Sequence, residues 1–212
     1  MSKEILREVE IPKDVKQFFK ELLSRTKGYD IYLGGGYLRD SYYNAVTYSM
    51  EKHPKDLDIF FVPNNKETKC IPTLPKTYVN YDKSAEEIPD MEKRGVERVR
   101  GLFVPRLDTS DVQFIVYGSF MTQEELAADM DCNINQVMYS LQDNTIYGTV
   151  AFHEGHDGEF IEMLHVFDKD RMGKRILRMK NKYPSYNVKG DWDLSYLEMT
   201  YEGSEHEGSF CE

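Results

Sequence analysis

The sequence predicts an α+β fold around a small mixed or antiparallel sheet. Three features point to it. Val15, Phe18, Phe19, Leu22 and Leu23 fall at helical spacing on one apolar stripe. Residues 31–62 run as strand, glycine turn, helix and strand, and residues 96–117 run as two strands joined by a turn. The chain has 212 residues, of which 40% are hydrophobic and 30% charged, enough for one sizeable core with a small appendage and ordinary for a globular protein.

Taken in order, the first helix follows Pro12, with Asp14 expected as its cap and Gly28 as its end. The first strand covers residues 31–33. Gly34, Gly35 and Gly36 then turn the chain into a helix from about Tyr37 to Met50, with Leu38, Tyr42, Ala45, Val46 and Tyr48 expected inward, and residues 57–62 form the second strand. Pro63, Pro72, Pro75 and Pro89 break up residues 63–95, where a short strand is expected near 77–81. A stretch of that length without clear elements points to function or mobility. The hairpin after Val96 turns through residues 107–110, and its second strand alternates Val112, Phe114 and Val116 with Asp111, Gln113, Ile115 and Tyr117. Thr122 through Glu125 spell a capping box and start a helix. Residues 141–150 suggest a hairpin through 142–145. His153-Glu154-Gly155-His156 lacks the His-Glu-x-x-His spacing, its glycine argues against a helix, and it is expected in a solvated loop. A basic helix over the 168–183 segment closes the folded part.

Chemistry gathers at residues 31–62. Asp56 and Asp58 are separated by one residue, so on a strand both carboxylates leave the same face. Two anions side by side repel unless a cation lies between them, and Mg²⁺ is usually held by one or two carboxylates plus substrate phosphates. Gly35 and Gly36 let the backbone approach a ligand, and the helix that follows offers N–H groups to an anion. The combination suits Mg²⁺ or Mn²⁺ and a nucleoside triphosphate (NTP). A plain turn and a solvated Asp-x-Asp edge are the structural alternatives, each sufficient for half of the pattern.

The formal charge of −10 is unusual for a nucleic-acid binder, but it is unevenly spread. Residues 169–189 carry eight Lys or Arg against Asp170, and residues 190–212 carry seven acids and no base. No apolar run approaches the roughly 20 residues of a membrane span, and the charged N-terminus has no apolar signal core, so a cytoplasmic protein is expected. Cys70, Cys132 and Cys211 are odd in number and far apart, which argues against disulfides and a zinc site.

GGYLRD followed by KDLDI resembles the nucleotidyltransferase superfamily that includes DNA polymerase beta, and more specifically the head domain of CCA-adding enzymes and bacterial poly(A) polymerases. Asp131, Ile134 and Asn135 are similar to the family element Arg-Arg-Asp-Phe-Thr-Ile-Asn-Ala-Leu, although Asp129 and Met130 stand where it has arginines. Arg175-Ile176-Leu177-Arg178 resembles the family's Arg-Ile-Leu-Arg helix. The resemblance implies a palm-like head over residues 1–165 with helices on one side of the sheet, a basic neck-like helix over 166–189 and an acidic tail over 190–212. It implies transfer of a nucleoside monophosphate from an NTP to a hydroxyl, with an RNA 3′ end of tRNA type as acceptor and pyrophosphate as product. Asp56, Asp58 and Asp111 would be the catalytic and metal-binding carboxylates, although Asp111 also suits a turn-closing role. Gly35, Gly36, Arg39, Asn135, Arg175 and Arg178 would hold the nucleotide, with Asn135 at the ribose. Asp40 is expected to steady the glycine turn. Too few residues follow Tyr183 for the family's helical body and tail, and no Glu-Asp-x-x-Arg element is present, so a stand-alone head is expected. Transfer to a protein or small molecule, metal-dependent phosphodiester hydrolysis, and a non-catalytic nucleotide- or RNA-binding module are the rival functions.

Overall fold

The computed structural model describes residues 9–48, 56–65, 79–87, 91–102, 111–166 and 168–195. Helix α1 (Lys13–Arg25) buries Val15, Phe19 and Leu22, the stripe that its spacing announces. The expected Asp14 cap is not formed: Pro12 is the N-cap, and Asp14 lies inside the first turn, where its charge favours the helix dipole. Strand β1 (Tyr29–Gly34) leads directly into helix α2 (Gly35–Thr47), which starts two residues before Tyr37 because Gly35, at φ 66°, makes the turn by itself. Strand β2 (Asp56–Pro63) returns antiparallel to β1.

Strands β3 (Val79–Ser84) and β4 (Val96–Leu102) lead to β5 (Asp111–Tyr117). Helix α3 (Gln123–Ala128) begins at the expected capping box: Thr122 Oγ1 accepts from the Glu125 N–H, and the Glu125 carboxylate accepts from the Thr122 N–H. Strands β6 (Val137–Ser140) and β7 (Thr145–Gly148) follow. This hairpin begins earlier than the expected 141–150, because every residue of β6 is buried and the alternation that marks a half-exposed strand is missing. Among the described residues the main sheet has the order β3-β4-β5-β2-β1-β6-β7, with β2 and β5 parallel and the other pairs antiparallel.

The two sheet faces are sorted by alternation along β2 and β5. Leu57, Ile59, Phe61, Val112, Phe114 and Val116 pack against α1, α2 and Phe152 of helix α4 (Val150–Asp157). Phe60, Val62, Ile115 and Tyr117 share the other cluster with Leu126, Ala127, Met130 and Met138. The longer helices α1 and α2 thus share one face, and the short α3 covers part of the other.

Helix α4 corrects the expected solvated loop at His153-Glu154-Gly155-His156. Gly155 belongs to the helix because a Cβ there would collide with the Asn133 side chain. His156 is buried, with Nδ1 2.7 Å from Tyr186 Oη, and burial first, then the Arg39 charge, pushes its pKa down to about 3. It is an uncharged packing residue. Strand β8 (Phe160–Glu162), helix α5 (Lys169–Lys182) and strand β9 (Asn187–Lys189) complete the described chain, with β8 and β9 parallel. Cys132, Ile134, Ile161, Met179, Tyr183 and Tyr186 form the apolar cluster that seats α5, with Cys132 a free thiol. Lys55, Cys70, Cys211, the 107–110 turn, residues 66–78 and 88–90 of the 63–95 stretch, and the tail beyond 195 lie outside the described residues. Among the described residues no helix is long and apolar enough to cross a membrane.

Candidate active site

The strand register builds the site. Asp58 stands opposite Gly34 across the antiparallel β1–β2 pair, while Asp56 stands beside Asp111 in the parallel β2–β5 pair. Asp56 and Asp58 continue the row of Phe60 and Val62, on the face where α3 packs. Gly35 closes the arrangement: a Cβ on it would stand 2.6 Å from Asp58 Oδ2. The glycine turn and the Asp-x-Asp strand are therefore in contact, and only glycine fits both the space and the positive φ. Burial, and after it the neighbouring Asp56 carboxylate, pushes the Asp58 pKa up to about 6. The charges of Arg175, Arg39 and Arg94 pull in the opposite direction.

Arg39 and Asp40, on the first turns of α2, sit in a buried polar cluster. Arg39 Nε donates to Asp40 Oδ1 at 3.0 Å and Tyr183 Oη at 3.1 Å, and Nη1 donates to Asn135 Oδ1 at 2.7 Å. Tyr183 Oη donates to Asp40 Oδ1, and Lys182 Nζ pairs with Asp40 Oδ2. Desolvation alone would raise the Asp40 pKa; the Arg39 charge, with Lys182 and Tyr183, holds it below the ordinary carboxylate range. The Arg39 donor set is thus largely committed to this cluster: Nη2 also pairs with Asp40 Oδ1 at 3.0 Å, and it lies 3.4 Å from where a Gly36 Cβ would be. Asn135 is 1% exposed, and its Nδ2 has no hydrogen-bond partner.

Three further cations come from elsewhere in the chain. Arg175 of α5 pairs with buried Asp131 at 3.0 Å, and Arg178, half-buried, lies one turn further along the helix. Arg94, which sequence reasoning missed, ends a short helical turn before β4 and pairs with Asp129 at 3.1 Å. Tyr183 and Lys182 were likewise missed as partners of Asp40. An arginine isolated among prolines and a tyrosine 143 residues from its carboxylate leave no local signal.

No protein-family model matches the chain, and no curated protein matches it. Solved structures do match. A structure described as a tRNA-processing enzyme in apo form I superposes with a TM-score of 0.54 at 17% identity, over 92% of this chain and 49% of its own. The Thermotoga maritima CCA-adding enzyme complexed with tRNA gives a TM-score of 0.52 at 17% identity, over 94% of this chain and 47% of its own. The fold is that of a CCA-adding enzyme head. A CCA-adding enzyme in complex with ATP matches similarly, with a TM-score of 0.52 at 14% identity over 94% of this chain and 46% of its own. The chain spans about half the length of these CCA-adding and tRNA-processing structures.

Among the described residues no group of three or more metal-ligating side chains assembles. Asp56 and Asp58 supply two, which is the number Mg²⁺ takes when phosphate oxygens complete its shell. Burial, and after it the Asp56 carboxylate, disfavours the ionised form of Asp58, a penalty that a hard divalent cation held by the two carboxylates would offset, so the donor set fits such an ion.

Proposed function

We infer that the chain is a metal-dependent nucleotidyltransferase that moves a nucleoside monophosphate from an NTP to a hydroxyl, with an RNA 3′ end of tRNA type as acceptor. The contact between Gly35 and the Asp58 carboxylate carries this assignment, because it joins an anion-accepting turn to a cation-accepting pair. The solved CCA-adding structures with tRNA and with ATP support it through their shared fold.

Asp56 and Asp58 would hold Mg²⁺ or Mn²⁺, with Asp111, adjacent in register to Asp56, as the third carboxylate. The ion supplies charge neutralisation at the phosphates when bound. Gly35 and Gly36 bring backbone to the β- and γ-phosphates, and Arg39, held by Asp40, Tyr183 and Asn135 with Nη2 beside Gly36, adds its positive charge there. Arg175 and Arg178 lower the cost of charge on the departing pyrophosphate. Asp111 accepts the proton of the attacking hydroxyl. Asn135 Nδ2, buried and unpaired, is a donor suited to a ribose hydroxyl. Residues 1–165 would be the catalytic head, α5 its basic neck and the acidic segment a tail, in a cytoplasmic protein.

A non-catalytic nucleotide-binding module is the competing assignment, favoured by Asp129 and Met130 where the related element has arginines. Incubation with each labelled NTP, Mg²⁺ or Mn²⁺, and total cellular RNA separates the two. Label entering RNA is expected, and the labelled band names the acceptor; label on protein or a small molecule transfers the acceptor role there. NTP binding without transfer to any acceptor supports the binding module and overturns the enzyme assignment.

A further inference from the structure

Asp40 stands between two cations, and the balance of charge there bears on the glycine turn. Its Oδ1 takes up Arg39 through Nε and Nη2, both at 3.0 Å, and accepts from Tyr183 Oη. Its Oδ2 pairs with Lys182 Nζ. Against the pull of burial, the Arg39 charge, with Lys182 and Tyr183, keeps Asp40 ionised at neutral pH. Asn135 and Tyr183, the other hydrogen-bond partners of Arg39, are neutral groups and fix the guanidinium without altering the sum of charges.

Arg39 and Asp40 in contact cancel, and a neutral pair beside the glycine turn would attract a polyphosphate only weakly. Lys182 changes that balance. With two cations on one carboxylate the cluster keeps one net positive charge, and Arg39 Nη2 brings it to 3.4 Å from where a Gly36 Cβ would be. Lys182 is the last residue of α5 and shares a helix face with Arg175 and Arg178, seven and four residues earlier. On that face the Arg175 charge is offset by Asp131, whereas the partner of Lys182 is a carboxylate already held by another cation. A plain ion-pair link between α5 and α2 would stabilise the fold and concern no ligand; the two roles differ in what they do to polyphosphate affinity.

We propose that Lys182 is a positioning residue of the triphosphate site: it takes up the Asp40 charge, so that Arg39 stands beside the glycine turn with its own charge uncompensated. The proposal rests on the NTP-binding function inferred above and deepens it, because it makes the far end of α5 a determinant of polyphosphate affinity by way of Asp40 and Arg39. Lys182 is partly exposed, so solvent screens part of its charge and the expected effect is moderate.

The test is titration calorimetry of the full chain with ATP, CTP and inorganic tripolyphosphate in Mg²⁺, at temperatures where thermal melts show each variant folded. Lys182→Met is expected to weaken NTP and tripolyphosphate binding alike, by about fivefold at low salt and by less at high salt. Lys182→Arg keeps the charge and is expected to bind both within about twofold of wild type. Asp40→Asn/Lys182→Met removes one charge of each sign, while the amide oxygen can still accept from Arg39 and Tyr183. Affinity in this double variant is expected to return to within about twofold of wild type. Where it does not fold, the contrast between Lys182→Met and Lys182→Arg decides. Wild-type affinity in Lys182→Met, a loss confined to NTP, an equal loss in Lys182→Arg, or a folded double variant that binds no better than Lys182→Met would overturn the proposal and leave Lys182 a structural link. A wild-type chain that binds tripolyphosphate and no NTP would overturn the nucleotide function, with the tripolyphosphate titrations still deciding the role of Lys182. A wild-type chain that binds neither would overturn both.

Discussion

The two halves of the candidate site are built in opposite ways. The carboxylate half, β1 through β2, is a single stretch of chain in which Gly34, Gly35, Asp56 and Asp58 meet through one antiparallel register. The cationic half is gathered from afar: Asp40 meets Lys182 across 142 residues, Arg175 meets Asp131, and Arg94 meets Asp129. The first half carries unfavourable chemistry: Asp58, half-buried beside the Asp56 carboxylate, resists ionisation. The second is internally satisfied, with most charges paired. A site that must accept a cation and a polyanion needs both, and the tertiary fold is what brings the compensating charges to the strained pair.

Breaking the assembled half should cost stability most. Asp40→Asn leaves Arg39 and Lys182 facing a neutral amide in a position that is 1% exposed, and about 2–4 kcal/mol of unfolding free energy should be lost in urea titrations. Breaking the local half should cost activity more than stability. Gly35→Ala strains a φ of 66° and pushes a methyl into Asp58, so about 1–3 kcal/mol of stability and at least roughly a hundredfold in transfer rate should go, with the rate loss persisting at temperatures where the variant is fully folded. A loss of rate that only tracked unfolding would erase the contrast between the halves.

The smallest expected effect comes from protons. The folded Asp58 pKa is raised to about 6 from 3.8, so the folded state holds the proton more tightly than the unfolded chain. Its contribution to stability is fully present below the unfolded value and is lost as pH rises through 6. Metal-free wild type should therefore lose on the order of 1 kcal/mol relative to Asp58→Asn between pH 5 and 7.5, a figure reduced for partial exposure. Thermal melts of both proteins at the two pH values measure it, and Mg²⁺ should narrow the gap at pH 7.5 by pairing with the ionised carboxylates.

The same contrast explains what the sequence could and could not disclose. GGYLRD and KDLDI were legible because turn, strand alternation and carboxylate spacing are all local, and the helix-start signal of Thr122 and Glu125 was legible for the same reason. Arg94 was not, because it sits at the end of a proline-broken stretch without periodicity. The role of Tyr183 was hidden because a fully buried tyrosine at a helix end gives no sign of which distant carboxylate it meets. Gly155 misled in the other direction: it looked like a helix breaker, and the packed side chain of Asn133 is what makes a glycine necessary inside α4. Strand β6 was misplaced since burial on both faces removes the period-two signal.

The central claim is that Asp56 and Asp58, beside the glycine turn, serve nucleotidyl transfer. Its most direct test measures pyrophosphate release and label incorporation together, with NTP, Mg²⁺ and RNA, in wild type and in Asp56→Ala/Asp58→Ala. One pyrophosphate released per nucleotide incorporated by the wild type, and a loss of more than roughly a thousandfold in the double variant, is the predicted result. Equal incorporation by both proteins would contradict the assignment of the carboxylates, and loss of RNA without incorporation would replace transfer with hydrolysis.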